Sequence, residues 1–234
     1  RTRYSLVIPR SNIIGSACLG ILEGKIHCGR TAQIHNASLD VLINKDKPFD
    51  MDSLSLMTPS KFLSSLMETV QLNSLMFMNA NLKYGERFAA GSMPAMLRFD
   101  SMQVQAEVHF NRVNHDDTVM VFVQGQLMRS GTMDVRVSIP VSSPEFTFRS
   151  AGTVRSMSLS SINPFLEVSD HKRFKTGVVH SVTFDFDVVD GSAKGTLRAS
   201  YEDLKIVSID SRSGSESGIG NTIVSFFANN IKLR

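Results

Sequence analysis

Between residues 176 and 207 apolar and polar side chains alternate with a period of two, and the alternation is interrupted once, at Asp190-Gly191. That period belongs to a β-strand with one wet face, because successive side chains leave a strand on opposite sides. Val178, Val182, Phe184, Phe186 and Val188 alternate with Val179, Ser181, Thr183, Asp185 and Asp187. Beyond the break, Ala193, Gly195, Leu197, Ala199 and Tyr201 alternate with Lys194, Thr196, Arg198 and Ser200. Asp-Gly suits a two-residue type I′ turn, in which both residues need positive φ. A hairpin folded there pairs Val188 with Ala193, Phe186 with Gly195, Phe184 with Leu197 and Val182 with Ala199. On its other face it sets Asp187 against Lys194. A slip of one residue would turn both phenylalanines into water, so turn, apolar face and charges all select one register.

The same reasoning predicts a second hairpin. Val119, Val121, Val123 and Leu127 face Met133, Val135, Val137, Ile139 and Val141 across Arg129-Ser130-Gly131, read as a three-residue loop with Gly in the left-handed position. This register pairs Val123 with Val137 and Val121 with Ile139. Further strands are expected over 4–9, 19–27, 38–43, 51–57, 72–84, 96–110 and 145–154, several longer than the usual ~5–6 residues. Helical signal is sparse. Thr58-Pro59 can open a helix over 58–67, Ile223, Phe226 and Phe227 share one side of 219–229, and Asn163-Pro164 suits a helical turn within 158–166. The expected fold is all-β and mainly antiparallel: a long-stranded curved sheet or groove-like meander with two or three short helices. It is read as one elongated domain over 1–234, with a candidate sub-boundary near 58–72. The chain opens at Arg1 inside a strand-like pattern, without an initiator Met or signal peptide, and is read as a piece of a longer protein.

Composition narrows the function classes. At 42% hydrophobic and 20% charged, the 234 residues are those of a folded domain and not of a disordered chain. A net charge of +3 with dispersed basic residues offers no footprint for nucleic acid. No stretch approaches the ~18–20 apolar residues of a membrane helix. Phe outnumbers Tyr fifteen to three and Trp is absent, which favours a greasy interior over an aromatic sugar-binding platform.

Catalytic patterns are missing. Cys28 with His27 and His35 is the nearest approach to a metal trio, and it lacks the fourth ligand of a structural zinc site. His115-Asp116-Asp117 reads as a polar loop. Cys18 and Cys28 either meet across a hairpin at Glu23-Gly24 or remain two buried thiols. There is no nucleophile elbow, no phosphate-cradling glycine loop, and no evident partner for Glu86, Glu202 or Asp203. Neither catalytic residues nor a metal or cofactor are expected.

Several segments resemble one family. The run Ser161-Ile162-Asn163-Pro164-Phe165-Leu166-Glu167 is similar to the Asn-Pro turn of AsmA-like proteins of Gram-negative envelopes. Lys175-Thr176-Gly177-Val178 resembles that family's strand opening. Gly195-Thr196-Leu197, followed by Tyr201-Glu202-Asp203-Leu204, resembles its Gly…Tyr-x-Asp-Leu signature. Phe226-Phe227-Ala228-Asn229 resembles the segment that follows, and Tyr84-Gly85-Glu86 with Phe99 resembles an upstream repeat. The resemblance covers roughly residues 73–234. It implies a periplasmic β-structure, anchored in the inner membrane by a segment outside this chain, whose groove handles phospholipid or another acyl-chain lipid without catalysis. Under that reading Val178, Val182, Phe184, Phe186, Leu197, Ala199 and Tyr201 line the groove or core. The competing reading is a β-rich adhesion or assembly scaffold, marked by exposed strand edges that bind a protein partner through strand addition. A glycan hydrolase on a β scaffold is a third reading, and a pocket with two convergent carboxylates would mark it.

Overall fold

A computed structural model describes residues 2–14, 31–46, 74–109, 118–140, 143, 147–189, 192–210 and 213–218. Alternating segments become strands wherever a neighbour can take up their backbone groups. They are β1 (Thr2–Val7), β2 (Arg10–Ile14), β3 (Thr31–His35), β4 (Ser38–Asn44), β5 (Ser74–Arg87), β6 (Ala95–His109), β7 (Thr118–Leu127), β8 (Gly131–Pro140), β9 (Phe148–Ser158), β10 (Lys172–Val189), β11 (Ser192–Ile209) and β12 (Glu216–Gly218). All twelve belong to one open, curved sheet, ordered β1-β4-β5-β6-β7-β8-β9-β10-β11-β12, with β2 on β3 and β3 on β5. From β5 to β12 the sheet is an antiparallel meander, whereas β3 and β4 run parallel to β5 along its outer edge. The fold is thus all-β and mostly antiparallel, as the alternation predicts.

The hairpin between β10 and β11 has the register read from the sequence. Val188 faces Ala193, Phe186 faces Gly195, Phe184 faces Leu197, Val182 faces Ala199 and Asp187 faces Lys194. Val189 pairs with Ser192, while Asp190-Gly191 lies outside the described residues. The second hairpin differs from its predicted register. Leu127 pairs with Gly131, which places Val123 opposite Val135 and Val121 opposite Val137, two residues from the expectation. The turn is Met128-Arg129-Ser130, with positive φ at Met128 (54°) and Arg129 (55°), so Gly131 is not its left-handed residue. Gly131 stands in β8 for a packing reason: a Cβ there would lie 2.9 Å from the Met157 Cβ.

Four strands carry a non-glycine residue in the left-handed region: Asn79 (φ 56°), Ser101 (φ 52°), Ser156 (φ 53°) and Asp203 (φ 50°). Register shifts accompany those in β5 and β6. Each such irregularity bends and twists its strand. In strand order they fall on the same side of the sheet's centre, toward the end where β9 hands over to β10. Side chains stitch this zone together, with Asn79 Nδ2 donating to Asn36 Oδ1 at 2.7 Å and the Ser158 amide donating to Ser130 Oγ at 2.9 Å.

At that end the chain makes a 3₁₀ turn (Leu159–Ile162) and a short helix α1 (Asn163–Ser169), with Pro164 in its first turn where no amide is missed. Leu159 and Leu166 pack with Met157, Phe174 and Val179 into one buried cluster. The helix also touches β6, four strands from β10, so it closes one end of the curved sheet. Asn163 explains its own place in the Asn-Pro motif. Its Nδ2 donates to the Phe174 carbonyl at 3.0 Å, and its Oδ1 accepts from the Phe174 amide at 2.9 Å, a side-chain rung beyond the last β9–β10 pair. The predicted helices at 58–67 and 219–229, the strands at 19–27 and 51–57, and the candidate boundary near 58–72 lie outside the described residues.

Two outcomes follow. Asn163→Ala removes both partners of a buried backbone segment and is expected to cost about 1–3 kcal/mol, read as a lower urea midpoint with an unchanged slope. Glu216 of β12 is held below the ordinary carboxylate range, mainly by its hydrogen bond from Lys175 and also by the Arg173 guanidinium at 3.0 Å. A depressed carboxyl contributes stability above its unfolded value, and that contribution is lost as pH falls through the lower folded one. Hydrogen exchange is therefore expected to open the Ser217 amide in acid before the centre of β10–β11, and at neutral pH in Glu216→Gln.

Candidate hydrophobic trough

Strand pairing carries one apolar row across eight strands. Ile34 faces Phe77, Phe77 faces Val104, Val104 faces Val123, Val123 faces Val135, Val135 faces Gly152, Gly152 faces Phe184, and Phe184 faces Leu197. The neighbouring rows on this face repeat the character, with Ala106-Val121-Val137 on one side and Met133-Val154-Val182-Ala199 on the other. The opposite face is largely polar at the same registers, with Met76, Phe122 and Ala151 interspersed among its charged and amide side chains. Arg149 forks onto Asp185 at 2.8 and 3.1 Å, Arg155 reaches Asp134 at 2.7 Å, Gln124 donates to Asp134 at 3.0 Å, and the Arg136 guanidinium lies 5.2 Å above the Phe122 ring. Hydrogen bonding from Arg149 holds the Asp185 carboxyl below its usual value. Exposed pairs of this kind add little stability, roughly 0–1 kcal/mol each, but they keep that face in water and leave the other as the one apolar side.

A shallow groove of ≈ 590 Å³ crosses the middle of the sheet at this row, but Gln103, Gln124, Asp134, Arg136 and Asp185 of the polar face line it together with the row itself, and the neighbouring apolar rows do not, so it does not belong to the apolar face. The apolar face is shaped at this row by two glycines. A Cβ on Gly152 would lie 2.7 Å from the Phe184 ring and 2.7 Å from the Asp134 carbonyl oxygen, so the ring lies flat on the β9 backbone. Phe186 covers Gly195 in the same manner, because a Cβ there would collide with its ring and with the Asp185 carbonyl. The two rings stack with centroids 5.7 Å apart and planes 17° from parallel. Flat rings give a smooth surface where upright ones would fill the space above the sheet.

Both ends of the apolar face are closed by packed residues. Toward α1 stands the cluster of Met157, Leu159, Leu166, Phe174 and Val179, with Ala37, Ala80 and Met102 buried further across. At the other end Val119, Ile139 and Val188 are buried. Between them Phe77, Val104, Val123, Val135 and Phe184 are only half-buried. Among the described residues no second layer of secondary structure covers them.

Of the seven residues singled out from the sequence, Val182, Phe184, Phe186, Leu197 and Ala199 lie on this face and are half-buried. Tyr201 shares the face through its pairing with Val179, but at 38% exposure it stands on the outermost long strand. Val178 does not share it. Register shifts on both sides of Val178, and Gly177 at φ 138°, pair it with Glu202 on the polar side; it is 41% exposed while Val179 is 4% exposed. Phe77, Val104, Val123, Val135 and Gly152 were not foreseen as residues of this row. Gly152, a glycine inside an otherwise regular strand, was the available signal, since such a position marks close approach by another group.

Among the described residues no three His, Cys, Asp or Glu side chains come together as a metal site, and no helix is long and apolar enough to cross a membrane. Cys18, His27, Cys28 and His115-Asp116-Asp117 lie outside the described residues. Glu86 is buried but engaged, accepting from the Tyr84 hydroxyl at 2.5 Å and pairing with Lys45 at 2.7 Å. Burial, with the nearby Glu86 carboxylate, pushes the Tyr84 hydroxyl well above the usual phenol range. No protein-family model matches the chain, and a search of curated proteins finds no match to it.

Gly152→Val is expected to lift the Phe184 ring from the sheet and crowd the apolar face. The expected cost is about 1–3 kcal/mol in stability, measured by thermal or urea unfolding. Gly91→Ala meets the opposite cost: nothing lies within 4 Å of the new Cβ, but at φ 75° it strains the backbone without crowding a neighbour.

Proposed function

We propose that the chain is a non-enzymatic lipid-handling module whose trough takes up acyl chains, of phospholipid or of a similar lipid. One observation carries the reading: an apolar row, from Phe77 to Phe184, that stays half-exposed between two packed ends, with no second layer of secondary structure over it among the described residues. A face of this kind suits a flexible hydrocarbon, which needs continuous apolar contact and no directional polar partner. Each methylene moved from water onto it is worth ~0.8 kcal/mol, so a few carbons already outweigh the loss of chain freedom.

The resemblance of the Asn163-Pro164 turn and of the Tyr201-Glu202-Asp203-Leu204 stretch to AsmA-like proteins supports the same reading. On this reading the module is periplasmic, part of a protein held to the inner membrane by a segment outside this chain. The role of Asn163 in bracketing Phe174 gives that motif a structural reason. Under this reading the working residues are Val182, Phe184, Phe186, Leu197 and Ala199 together with Phe77, Val104, Val123 and Val135. Their part is apolar contact, and no residue acts on a covalent bond.

The test is lipid extraction and mass spectrometry of the purified protein, paired with titration of a fluorescent fatty acid. Copurifying phospholipid and saturable binding are expected. Phe184→Asp, checked for folding by circular dichroism, is expected to weaken binding at least tenfold. Binding unaffected by Phe184→Asp in a folded protein, with no lipid in the extract, would count against the proposal.

A further inference from the structure

The two outer edges of the sheet are built differently. β11 has only β12 beside it, and from residue 192 to 206 its outer side has no neighbour among the described residues. That edge carries Lys194, Arg198, Glu202, Asp203 and Lys205, is kinked at Asp203, and ends under the three residues of β12, which Arg173 and Lys175 tie down through Glu216. Charges, irregularity and a short terminal strand are the usual means of preventing strand addition.

The β1 edge is less protected: Arg3 is its one charged residue and Pro9 follows it, but between them it is regular and apolar. Tyr4, Leu6 and Val7 are 56%, 59% and 55% exposed, and among the described residues β1 pairs with β4 alone. Alternate residues of an edge strand turn N–H and C=O groups outward, ready for another chain. Tyr4 and Leu6 continue the apolar face, because they pair with Val41 and Leu39, which pair in turn with Tyr84 and Leu82. Arg3 falls on the polar face beside Leu42, and Arg10 falls there beside His35. Both arginines are exposed, and no carboxylate among the described residues pairs with either.

We propose that β1 is a strand-addition site for an extended segment of a partner protein in which apolar residues alternate with acidic ones. The apolar side chains of such a segment would extend the face at Tyr4 and Leu6, and its carboxylates would meet Arg3 and Arg10. Charge selects this occupant over a second copy of the same edge: residues 2–14 contain no acidic residue, so β1 against β1 would bring only further positive charge. Backbone pairing supplies affinity and the alternate side chains supply specificity, as in other β-augmentation complexes. Pro9, which has no amide, limits the added strand to the six residues of β1, with Arg10 reached by its flank.

The experiment uses the full chain and two synthetic ten-residue peptides, one alternating Glu with Val and the other Lys with Val. Fluorescence anisotropy reads binding and hydrogen exchange reads protection. The Glu/Val peptide is expected to bind and to slow exchange at β1 amides while leaving β11 unchanged. The double variant Arg3→Glu/Arg10→Glu is expected to shift the ratio of the two affinities by about tenfold or more toward the Lys/Val peptide. Equal binding of both peptides, or binding without protection of β1, would overturn the proposal. Concentration-dependent dimerisation that protects β1 without peptide would overturn it in favour of a second copy.

Discussion

Everything in this molecule depends on register. Each strand from β5 to β11 brings its alternate apolar residues to one face only because its neighbour is paired with the matching phase, from Phe77 on Val104 to Phe184 on Leu197. A phase error at any of these pairings would put polar side chains such as Asp134 or Arg149 among the valines and leave their charges without partners. Cross-strand pairs on the wet face, Arg149 with Asp185 and Arg155 with Asp134, oppose such slips more than they stabilise the fold.

The same register makes the trough. Because Gly152 stands opposite Phe184 and Gly195 opposite Phe186, both rings lie against backbone, and the space above the sheet stays open. The left-handed residues at Asn79, Ser101, Ser156 and Asp203 bend the strands at one end, where α1 reaches from β10 across to β6. Packing is therefore complete at the ends of the apolar face and incomplete in its middle. A sheet that needed this face only as its core would have no reason to flatten its largest side chains.

Local information made the strands legible. The β10–β11 hairpin is specified by residues within about thirty positions of one another, so its turn residues, apolar pattern and opposite charges all agreed. The β7–β8 hairpin misled because Gly131 looked like a turn glycine, whereas it yields space to Met157 of the neighbouring strand β9. Val178 misled because the bulges around Gly177 break the period of two, and a bulge has no strong sequence signature apart from that glycine. Of the trough, the β10 and β11 half was readable. Phe77, Val104 and Gly152 were not, because their part is set by pairing across the meander and not by their own neighbours in sequence. The short, polar β3 and its parallel pairing with β5 gave no local signal either.

The central claim is that Val123, midway along the apolar row, faces a space open to hydrocarbon and not a closed interior. A polarity-sensitive fluorophore on Val123→Cys, in a chain with Cys18 and Cys28 replaced by serine, reports this directly. In water the emission should be that of a partly hydrated site, and addition of oleate or phospholipid vesicles should shift it to the blue and slow its quenching by iodide. Emission that is already blue, inaccessible to iodide and unchanged by lipid would mean the face is a sealed core, and would contradict the account.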